Sequence, residues 1–281
     1  MTANRMFTTV DELAARIPDG ATVAVPPDYS GTAMALTRAL IRRGARDLHL
    51  VAVPASGLQA DMLVGAGCIG TLEVAAVTMG EFGLAPRFSA AVKAGTVKLK
   101  DATCPALHAA IQAAEKGVPF TPLRGILGAD LIQHRDDWKV IDNPFNDSDE
   151  ADPIVLLPAI KPDVAIFHAT LADRDGNVWI GQRRELMTMA HASRQTLVTV
   201  EAITDDNLLA TDKTAAGTIP ALYVTAVAEA KQGAWPVGFL DEYPVDEAHM
   251  AEYMQMARTE EGFAEYVARY VRAEPAAAAA E

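Results

Sequence analysis

The chain has 281 residues, 50% of them apolar, with 24 Lys and Arg against 37 Asp and Glu and a formal net charge of -13. Such a length closes a substantial core without staples, while the acidic balance repels phosphate backbones and anionic lipid and so argues against nucleic acid or a membrane surface as partner. Its two cysteines, Cys68 and Cys104, with no CxxC and no HExxH spacing, indicate neither a disulfide scaffold nor a sequence-local metal site. Residues 1–11 lack the layout of a signal peptide and no apolar run reaches the roughly 20 residues of a membrane span; a soluble protein of the reducing cytoplasm is expected.

A helix is predicted over residues 9–17, with Thr9 and Glu12 as a capping box and Pro18-Asp19-Gly20 as its stop. Residues 21–25 form the first buried strand, 26–32 a loop, and 33–43 a helix closed by Gly44. The unit repeats with strand 48–53, loop 54–57 and helix 61–67, then with strand 71–78, loop 79–83 and helix 86–94. A short strand at 97–100 and a helix at 105–116 follow, with Pro105 at its first position. Residues 123–153, with Gly125, Gly128, Pro144 and the run Asn146-Asp147-Ser148-Asp149-Glu150, read as an excursion over the surface. Strands are expected at 154–157, 164–168, 177–180, 196–201 and 222–228, helices at 185–192 and 258–272, and a disordered alanine-rich tail at 273–281. Strands alternating with helices predict an α/β fold: an open, mostly parallel sheet with helices on both faces, in one domain spanning 1–272.

In open α/β sheets ligands bind in the crevice beyond the carboxyl ends of the strands, where loops converge and helix N-termini offer free N–H groups. The loops after the first three strands carry small or polar residues suited to that place: Ser30 and Thr32, then Ser56 and Gly57, then Gly80 and Glu81. These six are the candidate substrate-binding residues. Neither GxGxxG nor GxxxxGK[ST] occurs, which argues against dinucleotide and P-loop sites. Glu81, directly after an apolar strand, suits acid/base or nucleophilic work if desolvated, or pairs with Arg87, or caps the following helix. Cys104 is either a stabilised thiolate at a helix N-terminus or a small packed side chain. The six histidines are scattered, and no Ser-His-Asp order can be assembled.

Three blocks carry a resemblance: Trp138-Lys139-Val140-Ile141-Asp142-Asn143-Pro144-Phe145, the run from Leu157-Pro158 to Phe167-His168, and Ala172-Asp173-Arg174-Asp175-Gly176-Asn177-Val178. With Asp61-Met62-Leu63-Val64-Gly65-Ala66-Gly67, Gly117-Val118-Pro119-Phe120, Thr199-Val200-Glu201, Thr218-Ile219-Pro220, Gly233-Ala234-Trp235-Pro236 and Arg258-Thr259-Glu260-Glu261-Gly262-Phe263, in that order, the chain resembles the α (A) subunit of class I coenzyme A transferases, closest to the glutaconate type. The resemblance implies an α/β subunit that works with a homologous β-type subunit, which carries the nucleophilic glutamate. It implies coenzyme A as the acyl-CoA substrate, a carboxylate as co-substrate, and no permanently bound cofactor. This chain would then hold no catalytic residue and would wall the acyl pocket, from which water must be kept because the anhydride and thioester intermediates hydrolyse.

Two departures bear on substrate and reaction. Pro26-Pro27 stands where the glutaconate type has a Gly-Gly pair, and proline donates no N–H. Cys104 stands near the position where a related branch, which hydrolyses carbon–carbon bonds in steroid-derived ring CoA esters, has an acidic residue in this chain. The apolar Met79, Phe82 and Leu84 point to a medium-sized or partly apolar acyl group, with Arg87 and Arg124 as nearby candidates to hold a distal carboxylate if they are not structural ion pairs. The rival readings are a component of that ring-cleaving hydrolase and a non-catalytic metabolite-binding protein on the same fold.

Overall fold

A computed structural model describes residues 6–239 and 241–273. In chain order the elements are α1 (Val10–Ala15), β1 (Thr22–Val25), α2 (Met34–Arg43), β2 (Leu48–Ala52), β3 (Ala55–Ser56), α3 (Leu58–Gly65), β4 (Ile69–Val74), β5 (Ala76–Val77), α4 (Pro86–Ala94), β6 (Lys98–Asp101) and α5 (Cys104–Glu115). Then come β7 (Phe120–Leu123), β8 (Lys139–Asp142), β9 (Pro153–Pro158), β10 (Val164–Asp173), β11 (Val178–Trp179), α6 (Arg184–Ala192), β12 (Gln195–Thr204), α7 (Asp212–Ala215), β13 (Thr218–Ile219), β14 (Ala226–Glu229), α8 (Glu247–Met256) and α9 (Glu260–Val267).

Seven of these strands pair in parallel in the order β14-β12-β10-β1-β2-β4-β6, and β11 and β13 extend the sheet antiparallel beside the far end of β10. The chain builds outward from β1 through β2, β4 and β6, then returns to pair β10 on the other edge of β1. The order therefore reverses between β1 and β10, and a crevice opens at such a reversal. Alternation along each strand feeds two cores, one on each face. Val23, Val25, Leu48, Leu50 and Leu72 pack with α1 to α4 and α8 to α9, whereas Ala24, Val51, Val53, Ala165 and Phe167 pack with α5, α6 and β9. This is the α/β architecture expected from the sequence, with helices on both faces.

Several local expectations hold in detail. Thr9 and Glu12 form the capping box of α1, and Gly44 closes α2 at φ 73°, a conformation that costs an L side chain but not glycine. Others change. The stretch 123–153 does not wander: β8 and β7 flank β9 as a three-stranded antiparallel sheet, and Ile126 and Trp138 are buried under it. Edge strand β8 is exposed at all four residues, which is why it does not read as core. The third strand splits into β4 and β5, the strand expected at 222–228 begins only at Ala226, and α8, capped by Asp246, was not expected. Residues 274–281 of the expected tail lie outside the described residues, and no described helix is long and apolar enough to cross a membrane.

Candidate functional site

A cleft of about 750 Å³ opens beyond the carboxyl ends of β1, β3 and β5. Four of the six residues singled out from the sequence line it: Ser56, Gly57, Gly80 and Glu81. The other two do not reach it. Ser30 is buried, with its hydroxyl donating to Glu185, and the buried Thr32 hydroxyl donates to the Pro27 carbonyl at 3.2 Å. The three-residue helical turn at Asp28–Ser30 points Asp28 and Tyr29, not Ser30, at the opening.

Asp28 anchors the near wall. Its carboxylate accepts from the Gly57 and Leu58 amides at 3.2 and 2.9 Å, filling the free N-terminus of α3. Gly57 is needed for this approach, because a Cβ there would crowd the Asp28 carboxylate and stand 2.6 Å from the Thr78 carbonyl. Burial pushes the Asp28 carboxyl up to about 6 against the lowering pull of those two amides. The Ser56 hydroxyl, 2% exposed on the cleft lining, has no hydrogen-bond partner among the described residues. Glu81 is exposed at the rim and does not pair with Arg87, which is buried elsewhere, its guanidinium donating to the Ala257 carbonyl and 3.9 Å from Glu260.

The far wall comes from parts of the chain the sequence did not mark: Arg183, and Val237, Phe239, Tyr243, Val245, Glu247 and Met250. Glu201, in the carboxyl-terminal half of β12, holds that wall in place. Its carboxylate accepts from the Gln232 amide at 2.7 Å and the Gly233 amide at 3.3 Å, from the Tyr243 hydroxyl at 2.9 Å, and lies 2.7 Å from His168 Nε2. The other ring nitrogen of His168 meets the Thr199 hydroxyl at 2.8 Å, so Nε2 carries the proton to Glu201 when the hydroxyl donates. Burial opposes the Glu201 charge, but the bonds from His168 and Gln232 hold its carboxyl below the usual range. The resemblance block Thr199-Val200-Glu201 is thus a brace for the cleft.

Met79, Phe82, Val237, Phe239 and Met250 give the cleft apolar sides, and Tyr29 (65% exposed) and Val245 (41%) leave an apolar rim, with Leu84 (79%) beside it. A second cavity of about 200 Å³ lies near the amino ends of β1 and β10, lined by Glu73, Lys100, Arg135 and Asp137, whose charges pair with one another at 2.7 to 3.6 Å. Those four charges are spent on each other, while Lys161, on the same lining, is exposed. Cys104 begins α5 and lines neither cavity, and Arg124 pairs with Asp152. Among the described residues no three His, Cys, Asp or Glu side chains group as a metal site.

An apolar cleft with an orphaned hydroxyl at its wall can hold an acyl chain and donate to an oxygen. The sequence matches the family described as coenzyme A transferase over residues 7–230. It is 35% identical over 239 residues to an uncharacterized protein of Archaeoglobus fulgidus, covering 83% of this chain but 51% of that one, so that the chain spans about half of that relative. It is 30% identical to the A-type subunit of the 3-oxoadipate CoA-transferase of Pseudomonas knackmussii, covering 91% of this chain and 89% of that one. A cholesterol ring-cleaving hydrolase IpdA subunit of Rhodococcus jostii is 27% identical, over 85% of this chain and 82% of that one. The crystal structure of glutaconate coenzyme A-transferase from Acidaminococcus fermentans superposes with a TM-score of 0.85 at 25% identity, covering 95% of this chain and 89% of that one.

Proposed function

The chain belongs to the coenzyme A transferase family, and from that premise we propose that it is the α subunit of a heteromeric enzyme that moves coenzyme A between an acyl-CoA and a carboxylic acid. The observation that carries the reading is the cleft itself: apolar inside, open along a rim where Tyr29, Val245 and neighbouring Leu84 face solvent, and placed beyond the carboxyl ends of β1, β3 and β5. A homologous β-type subunit closes that opening and brings the nucleophilic glutamate.

In this scheme the partner's glutamate attacks the acyl-CoA carbonyl, coenzyme A leaves as its thiolate, and an acyl-glutamyl anhydride remains. The thiolate then attacks the glutamyl carbonyl of the anhydride, the carboxylate product leaves, and a glutamyl-CoA thioester passes coenzyme A to the second acid by the reverse steps. The present chain's part is to bind and exclude. Ser56, Gly57, Gly80 and Glu81 wall the acyl group, and the Ser56 hydroxyl donates to an oxygen of the acyl carbonyl as negative charge develops there. Met79, Phe82 and Phe239 exclude water from the intermediates and favour a partly apolar acyl chain. Ser30 and Thr32 act from beneath, fixing the first loop.

The test is reconstitution with a β-type partner. The α chain alone shows no CoA transfer, and the pair transfers CoA to a carboxylate acceptor; robust transfer by the purified single chain overturns the assignment. Cleavage of a carbon–carbon bond in a ring CoA ester, with the thioester left intact, moves the protein to the hydrolase branch.

A further inference from the structure

Two donors on the cleft lining are unspent. One is the Ser56 hydroxyl, buried and without a partner. The other is the guanidinium of Arg183, which sits 5.8 Å from the Tyr29 ring and makes no ion pair or side-chain hydrogen bond among the described residues. Arg183 is also the one cation on that lining among the described residues, the other charged side chains there being Asp28, Glu81 and Glu247. It occupies the N-cap of α6, with no side-chain cap of its own. Ser, Thr, Asp or Asn is preferred there because its side-chain oxygen accepts a free N–H of the first turn, which a guanidinium cannot do, and the partial positive charge of the helix N-terminus adds to a cation instead of offsetting it. An arginine so placed gains most when an anion completes it.

The anion has a definable form. A planar guanidinium takes a carboxylate through two parallel N–H···O bonds. A polyanion such as a diphosphate would meet Glu81 and Glu247 on the same lining, so one singly charged group matches one arginine. The same lining is otherwise largely apolar, with Met79, Phe82, Phe239 and Met250. The sequence directed attention to Arg87 and Arg124 for such a role; neither lines the cleft, and both are engaged elsewhere.

Resting on the transferase reading above, we propose that Arg183 is the specificity-determining residue for acyl groups that carry a second carboxylate at the far end of an apolar body, with Ser56 at the reacting end. The test uses the reconstituted αβ complex with acceptors matched in length, glutarate against pentanoate and adipate against hexanoate. The expected result is a preference for the dicarboxylates of about 10- to 100-fold in kcat/KM, the range of a charged hydrogen bond. Arg183→Gln abolishes that preference by raising KM for the dicarboxylates far more than for the monocarboxylates, and Arg183→Lys, which keeps the charge but not the fork, retains part of it. Equal rates for both series in the wild type overturn the proposal, as does a dicarboxylate preference that survives in Arg183→Gln. Equal losses on both series assign Arg183 to the phosphates of coenzyme A or to folding, and also overturn it. Calorimetric titration of free glutarate and adipate into the same complex reads Arg183 without turnover. Absent transfer with Arg183-dependent binding counts against the transferase reading alone, whereas binding that Arg183→Gln leaves unchanged counts against this proposal.

Discussion

The Tyr253 hydroxyl donates a 2.6 Å hydrogen bond to Asp61 Oδ2, joining α3 to α8 across 192 residues of sequence, while the Phe88 amide donates to Oδ1 at 2.7 Å. Both side chains are fully buried. One carboxylate thus fixes α3, the start of α4 and the helix that carries Met250 to the cleft. Removing the donor leaves a buried oxygen unpaired, which costs on the order of 1–3 kcal/mol. Tyr253→Phe should therefore lower the unfolding free energy from urea denaturation by that amount at neutral pH, and a neutral result would show that the bond contributes nothing to docking α8.

Burial pushes the Asp61 carboxyl up to about 6, against the lowering bond from Tyr253. A raised pKa means that the folded state keeps the proton while the unfolded chain, at the ordinary value of 3.8, loses it. Stability from this group is thus fully present below about pH 4, falls as pH rises through 4 to 6, and levels off above. Asp61→Asn removes that titration, so its stability relative to wild type should rise across that window by roughly 2 kcal/mol. Denaturation series at several pH values give the difference directly. A flat difference would mean that Asp61 titrates normally.

Ser56 separates stability from function. Its hydroxyl makes no bond in the free protein, so Ser56→Ala should leave the melting temperature unchanged or slightly raised. In the reconstituted complex the same substitution should lower kcat about 10- to 100-fold if the hydroxyl meets the developing charge. Unchanged turnover would remove Ser56 from the acyl pocket.

Gly57 tolerates no side chain. A methyl group there would press on the Asp28 carboxylate and the Thr78 carbonyl, and overpacking of this kind costs typically about 1–3 kcal/mol. Gly57→Ala should destabilise by that amount in thermal unfolding and disturb the near wall. A variant of wild-type stability would show that the Asp28 cap gives way freely.

Glu73 is buried with Arg135 at 2.7 Å, His49 at 3.1 Å and Lys100 at 3.6 Å. Taking away Arg135 strands part of that charge, and breaking such a pair costs about 3–5 kcal/mol. Arg135→Ala should cost roughly 3 kcal/mol, at the low end because Lys100 and the His49 ring still meet the carboxylate. Chemical denaturation measures it, and a loss below about 1 kcal/mol would mean that those partners suffice.

The strand-loop-helix rhythm of the first hundred residues is legible because each apolar run is closed by proline or glycine, as at Pro18-Asp19-Gly20 and Gly44. The cleft's near wall is legible for the same reason: Ser56, Gly57, Gly80 and Glu81 lie in the loops that the sequence places after its second and third strands. The far wall is not. Phe239, Tyr243 and Met250 follow a stretch that Glu201 anchors through Gln232, Gly233 and Tyr243, and Arg183 comes from the N-cap of α6, a convergence with no local pattern. Asp28 reads as a loop residue until Gly57, 29 positions on, admits its carboxylate. Ser30 lies in the loop where the sequence puts it but faces away from the cleft, since the turn at Asp28–Ser30 sends its hydroxyl to Glu185.

None of the residues lining the cleft falls between Phe82 and Arg183, and the antiparallel sheet of β7, β9 and β8 lies wholly within that interval, packed on the other core. Its β8–β9 connection is closed at its base by the Asn143 amide bonding the Asp152 carbonyl at 2.8 Å, and residues 147–150 at its tip are exposed. That loop is therefore a natural handle. A fluorophore or an affinity peptide spliced in at Ser148 would ride on the molecule and report on assembly, while the chemistry went on undisturbed on the opposite face of the sheet.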